Sequence, residues 1–207
     1  MTRMRDIPHF FWACILAFVW MWVWSVTEPA NARARGSAPI VYKIVVRRPG
    51  AWARCTATAI TPRRLLTAKH CVWTAQGLQE AFLVSDERMR PLQLEAFADD
   101  GAGDWAVLEL AQGTTPLPDP RQIALSGPAQ GEALCFTGLG CDGTAQERCG
   151  TYSAPLTAHI MFLTDLLLCP GDSGGPLYTS RGEIVGVASA TSKDGKAFSL
   201  FSRPPAQ

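Results

Sequence analysis

Histidine is scarce in this chain, with three residues in 207, and only His70 and His159 lie outside the first 32 positions. Chemistry that needs an imidazole therefore has few places to occur. Charge is sparse as well. Charged side chains make up 18% of the sequence and the net charge is +1, with basic residues scattered rather than clustered. A nucleic-acid partner calls for a basic stripe that neutralises phosphates, so that class is excluded. No segment keeps an apolar period of 3.6 over several turns, which argues against a helical bundle. There is no internal repeat and no low-complexity tract. A Cys-x2-Cys knuckle is absent too, and with it the usual sign of a structural zinc site. No metal and no cofactor is expected.

What is present begins with an export signal. Arg3 and Arg5 make a positive start, every residue from Phe10 to Trp24 is apolar, and Ala30-Asn31-Ala32 has the small-x-small pattern of a cleavage site. Residues 1–32 are read as a signal peptide, with Ala34 as a second choice of cleavage point, and 33–207 as the mature chain. The uncharged stretch from Ile7 to Thr27 also has the length of a membrane span, so a retained anchor is the alternative. The first reading makes the protein secreted or periplasmic. Membrane contact arises only if the segment is kept.

Beyond it, short apolar or β-branched runs alternate with Gly, Pro and Asp punctuation. They cover 40–46, 55–60, 65–68, 81–85, 92–98, 105–110, 134–139, 156–162, 177–178, 184–189 and 197–201. Such a series predicts an all-β fold, a barrel or a sandwich. The segment 164–168 reads as strand or loop. His159, inside the apolar run 156–162, reads as structural.

Three stretches carry chemistry. In Gly171-Asp172-Ser173-Gly174-Gly175 the glycines permit a tight turn, which pushes Ser173 Oγ outward and aims the N–H groups of Gly171 and Ser173 into one hollow. Serine is a weak nucleophile and needs a base, itself oriented by a third group. His70 follows the strand at 65–68 and supplies an imidazole that can take and return a proton. Asp104, followed by the apolar Trp105-Ala106-Val107-Leu108, is the carboxylate suited to burial against it. Asp99 and Asp100 read as a solvated loop.

In these three blocks the chain resembles the trypsin/chymotrypsin-like serine peptidases. Thr67-Ala68-Lys69-His70-Cys71 matches that family's Thr-Ala-Ala-His-Cys, and the order His, Asp, Ser is the family's own. The resemblance implies two six-stranded antiparallel β-barrels with the active site in the cleft between them, at about 40–120 and 121–207. It implies a triad of His70, Asp104 and Ser173, an oxyanion hole at Gly171 and Ser173, and an endopeptidase acting on protein or peptide substrates through an acyl-enzyme. Leu167 matches the base of the primary pocket, and Ser189, Ala190 and Thr191 match the strand that binds substrate backbone. Leucine at 167 and threonine at 191 imply cleavage after small or medium apolar residues. A monomer is expected. The family's usual C-terminal helix has no counterpart after Phe201. A non-catalytic binding protein on the same scaffold is the other reading.

The family also bears on the cysteines. Six lie beyond the signal, at 55, 71, 135, 141, 149 and 169, and an even number in an exported chain reads as disulfides. The resemblance implies Cys55–Cys71. The remaining four allow three pairings. Cys141–Cys169 with Cys135–Cys149 is expected, and Cys141–Cys149 with Cys135–Cys169 is the rival. Asp172 matches an aspartate that the family pairs with an α-amino group freed by cleavage before an Ile-Val-Gly-Gly-like start. No such start exists here. The partner of Asp172 stays open among Arg33 at a new N-terminus, a side chain, or none.

Overall fold

The computed structural model describes residues 36–205 apart from 86–87, 99–102, 141 and 192–197. The signal-peptide reading, Asp99, Asp100 and Cys141 fall outside the described residues.

Six strands form the first barrel: β1 (Val41–Arg48), β2 (Ala51–Ala59), β3 (Arg64–Thr67), β6 (Glu80–Ser85), β7 (Arg88–Phe97) and β8 (Ala106–Leu110). They close in the order β1-β2-β3-β8-β7-β6, each pair antiparallel. The period-2 rule explains the filling. Ile44 and Val46 of β1, Ala57 and Ala59 of β2, Leu83 of β6 and Leu108 of β8 are buried in one cluster, while their neighbours Arg47, Arg54 and Glu80 are exposed. A single helical turn, α1 (Lys69–Val72), follows β3, and a small ribbon of β4 (Trp73–Thr74) and β5 (Gly77–Leu78) follows α1.

The second barrel holds β9 (Ala133–Gly138), β10 (Gln146–Thr157), β11 (Ile160–Thr164), β12 (Pro176–Tyr178), β13 (Ile184–Thr191) and β14 (Phe198–Ser202), closed in the order β10-β11-β14-β13-β12-β9. Its core includes Leu134, Phe136, Leu163, Leu177 and Phe201, with the two phenyl rings 5.7 Å apart. A third apolar cluster joins the barrels. Leu66 of β3 and Val107 of β8 meet Ile123, Ile184 and Val187. That seam fixes the two cleft walls against each other.

Two strand expectations need correction. The run 156–162 is not one strand: β10 ends at Thr157, Ala158 and His159 form a turn, and β11 begins at Ile160. His159 is thus an exposed turn residue rather than a core one. The strand β10 was expected only at its end, because most of its length is polar and exposed. Residues 165–168 are loop.

Two disulfides are fully described. Cys55–Cys71 ties β2 to α1. Cys135–Cys149 joins directly opposed residues of β9 and β10, which removes the rival pairing. Cys169 is also disulfide-bonded. The expected partner Cys141 lies outside the described residues.

Candidate active site

α1 is one turn long and carries His70 at the rim of the first barrel. Its placement is set from both ends. The His70 N–H donates to Asp104 Oδ1 at 2.9 Å, and the ring Nδ1 lies 2.6 Å from Asp104 Oδ2. A second donor reaches the same oxygen from the other barrel, Ser189 Oγ of β13, at 2.6 Å. The Asp104 backbone N–H donates to Ser202 Oγ of β14 at 2.6 Å. Asp104 is therefore held by groups of both barrels.

The electrostatics follow from this cage. Burial raises the Asp104 pKa. The hydrogen bond and charge of His70, with the bonds from Ser189 and the His70 backbone, outweigh burial and bring it below the usual carboxylate value. An ionised carboxylate only accepts hydrogen bonds, so Nδ1 carries the proton in the neutral ring. The Nε2 lone pair is then left free to act as a base. Among the described residues no hydrogen bond joins Nε2 to Ser173 Oγ. The nearest recorded contact of Nε2 is Cys71 Sγ, at 4.0 Å.

Ser173 sits beside α1 through its backbone. Its carbonyl accepts from Thr56 N–H at 2.8 Å and lies 3.8 Å from Cys71 Sγ. Gly171 has φ +102°, a region closed to most side chains, so the turn before the serine requires glycine. Thr56, fully buried, donates its hydroxyl to the Gly171 carbonyl at 2.8 Å and accepts from Leu139 N–H at 3.1 Å. This turns the Gly171 carbonyl toward the first barrel. Neither the Gly171 N–H nor the Ser173 N–H donates to a protein acceptor among the described residues. Both remain available to an oxyanion.

The partner of Asp172 is a side chain. Asp172 is completely buried, and Arg148 Nη2 of β10 bonds its Oδ2 at 2.5 Å. Gly140 N–H donates to Oδ1 at 2.7 Å and Cys169 N–H to Oδ2 at 2.7 Å. A Cβ at Gly140 would collide with this carboxylate. The other Arg148 arm, Nη1, donates to the Leu167 carbonyl at 2.8 Å, and its guanidinium lies over the Phe136 ring at 5.1 Å. Arg148 thus supplies the positive charge that faces the buried Asp172 carboxyl.

Of the residues expected at the substrate pocket, Leu167 is 46% exposed and Ala190 is exposed. Thr191 is half-buried. Its Oγ1 accepts from Leu168 N–H at 3.5 Å and lies 3.2 Å from Ser199 Oγ. Ser199, fully buried in β14, also bonds the Leu166 carbonyl at 2.7 Å. Arg148, Thr56, Ser199 and Ser202 were not expected from sequence. Each lies in a strand with no local pattern that marks it.

A family model described as Trypsin matches residues 29–203. The chain belongs to the trypsin family. An uncharacterized peptidase of Corynebacterium glutamicum (strain R) is 27% identical over 173 residues, covering 77% of this chain and 62% of that protein. The chain thus spans about 62% of the length of the curated relatives it matches. Among solved structures, the active form of the Rv3671c protease from M. tuberculosis matches at 19% identity and TM-score 0.66, over 86% of this chain and 81% of that one. A serine endoprotease from Yersinia pestis matches at 20% identity and TM-score 0.65, over 82% and 60%. A thermostable serine protease from an extremophilic microorganism matches at 17% identity and TM-score 0.67, over 82% and 91%. These structures share the two-barrel fold. In fold and family the chain is trypsin-like.

Proposed function

We propose that the protein is an exported serine endopeptidase whose triad is Ser173, His70 and Asp104. One observation carries the reading: a bond chain from Ser189 through Asp104 to His70 ends on a free Nε2, beside a turn with two unused N–H groups. In the reaction Ser173 Oγ bonds to the substrate carbonyl carbon while its proton passes to His70 Nε2. The carbonyl oxygen becomes an anion at the Gly171 and Ser173 N–H groups. The C–N bond then breaks, and the departing amine takes the proton from His70. Water repeats the sequence on the acyl-enzyme, releasing the acid and restoring Ser173.

Arg148 bears on the competing reading of a non-catalytic binding protein, which draws its support from the missing activation start. The Arg148 cation on the buried Asp172 supports an oxyanion turn assembled without cleavage. Labelling by a fluorophosphonate probe, lost in Ser173→Ala, is the expected result. Folded protein that stays unlabelled would return the chain to the binding reading.

The finer assignments belong to the same proposal. Leucine at 167 and threonine at 191 support cleavage after small or medium apolar residues. Dominant cleavage after arginine in a peptide library would overturn this. Residues 1–32 direct export and 33–207 form the mature monomer, in the secreted or periplasmic space. Mass spectrometry should find a mature N-terminus at Arg33, and an intact one would mean a retained anchor.

A further inference from the structure

The turn between β1 and β2 brings a cation to the base. Arg48 is half-buried and donates from Nη2 to the carbonyl oxygen of His70 at 3.2 Å. Its Nε is buried and has no hydrogen-bond partner. None of the ion pairs among the described residues includes Arg48. Other desolvated arginines here are compensated. Arg121 has Asp119, Arg148 has Asp172, and Arg63 has three carbonyl contacts. A guanidinium offers five donors in a fork that fits a carboxylate. Arg48 uses one, on a neutral oxygen, although desolvating an uncompensated charge is costly.

The position of this charge follows from α1. The N–H and C=O of a helical residue point in opposite directions along the axis. His70 gives its N–H to Asp104, which Ser189 of β13 also grips, and gives its C=O to Arg48. Arg48 therefore lies at the end of His70 away from β13. The strand β13 is the acyl-side wall in the peptidase reading. With the acyl half on β13, the departing half in that reading runs to the far side of His70, where the β1–β2 turn carries Arg48 and the Cys55–Cys71 disulfide ties β2 to α1.

We propose that Arg48 binds a carboxylate in the leaving-group half of the substrate. This rests on the peptidase reading above. The carboxylate is either an acidic side chain one or two residues after the cut or the terminal carboxylate of a short departing fragment. Both offer two coplanar oxygens to the fork.

The test uses the protein with quenched-fluorescence peptides of one acyl-side sequence. One set is C-terminally amidated and carries Glu, Gln or Lys at the first or second position after the cut. A second set carries Gln there and ends, with a free or amidated carboxyl, two residues after the cut. Glu should exceed Gln by about tenfold in kcat/KM, through KM, and Lys should fall below Gln. An advantage confined to the free-carboxyl peptides would assign the terminal group instead. In Arg48→Met, which keeps the aliphatic stem, the Glu-to-Gln ratio should collapse toward one, and Arg48→Lys should restore part of it. Salt should shrink the ratio in the parent. Equal rates for Glu, Gln and free-carboxyl peptides in the parent would overturn the proposal and leave the peptidase reading standing. Fluorescence anisotropy of the leaving-side fragments alone, on parent and Arg48→Met, gives a readout that needs no turnover. If no peptide is cut and the acidic fragment still binds through Arg48, the peptidase reading alone fails. No Arg48-dependent binding and no Glu preference sinks the assignment of Arg48.

Discussion

The two barrels have the same strand number and are filled by different physics. The first is packed with aliphatic and small side chains: Ile44, Val46, Ala57, Leu65, Leu83 and Leu108. The second adds aromatic rings, Phe136, Tyr152 and Phe201, and takes in polar groups. Asp172 is buried with Arg148 on it, Thr137 Oγ1 meets Tyr178 Oη at 2.9 Å, and Ser199 bonds a backbone carbonyl. The difference matches the chemical load. In the peptidase reading a base and its carboxylate stand on the rim of a barrel whose buried polar side chains, among the described residues, are threonines, Thr56, Thr58 and Thr67, braced by a disulfide. In the same reading the turn at Ser173 keeps two N–H groups free, and hydrogen bonds to its other polar groups hold it directionally where apolar contact cannot.

The comparison can be broken at several points. The largest effect is expected at the rim. Asp104→Asn should lower kcat about ten-thousandfold, as the same exchange does in a serine-peptidase triad, because Nδ1 loses the acceptor that fixes its tautomer. Steady-state kinetics with an unchanged circular-dichroism spectrum would check it. Next comes the buried pair. Arg148→Met leaves the buried Asp172 carboxyl with only the Gly140 and Cys169 N–H groups, which should cost about 3–5 kcal/mol in urea unfolding and abolish fluorophosphonate labelling. Adding Asp172→Asn should recover much of that stability without the labelling. Recovery of both would show that the pair holds the fold and not the turn.

In the first barrel, Leu108→Ala should cost about 2–5 kcal/mol through a cavity and leave the labelling rate of the folded fraction intact. A slowed rate there would erase the division of labour between the barrels. The smallest effect concerns acid. Asp104 has a lowered pKa in the folded protein, so the stability it contributes is present above the unfolded carboxylate value and is lost as pH falls through the folded one. Ser189→Ala removes one of the bonds that lower it. The acid-side loss should then be smaller and finish at higher pH, seen as a shallower slope of unfolding free energy below about pH 5. An unshifted slope would mean that His70 alone sets the Asp104 pKa.

Much of the fold was legible because most strands announce themselves. Val41–Arg48 and Ile184–Thr191 are rich in β-branched residues, and one residue in two faces a core along β1. β10 was not legible over most of its length. It runs Gln146-Glu147-Arg148-Cys149-Gly150 with one side to solvent, and it belongs to the barrel through its register with β9. The turn at Ala158-His159 was hidden for a related reason: apolar residues on both sides made two strands look like one. In the site, His70, Asp104 and the Gly171–Gly175 turn were visible because each sits in a short local motif. Arg148 is one cation among 19, and only the closure of the second barrel points it at Asp172.

The sequence by itself determined the repertoire: an all-β chain, a serine framed by glycines, one imidazole fit to serve as base, and an aspartate ahead of an apolar strand. These are local properties, written in the backbone freedom of glycine and in period-2 patterning. The tertiary structure decided which polar groups answer one another. Arg148 reaches Asp172 across 24 positions, Ser189 reaches Asp104 across 85, and Thr56 reaches Gly171 across 115. A hydrogen bond depends on distance and direction in space, and neither exists until the barrels have closed.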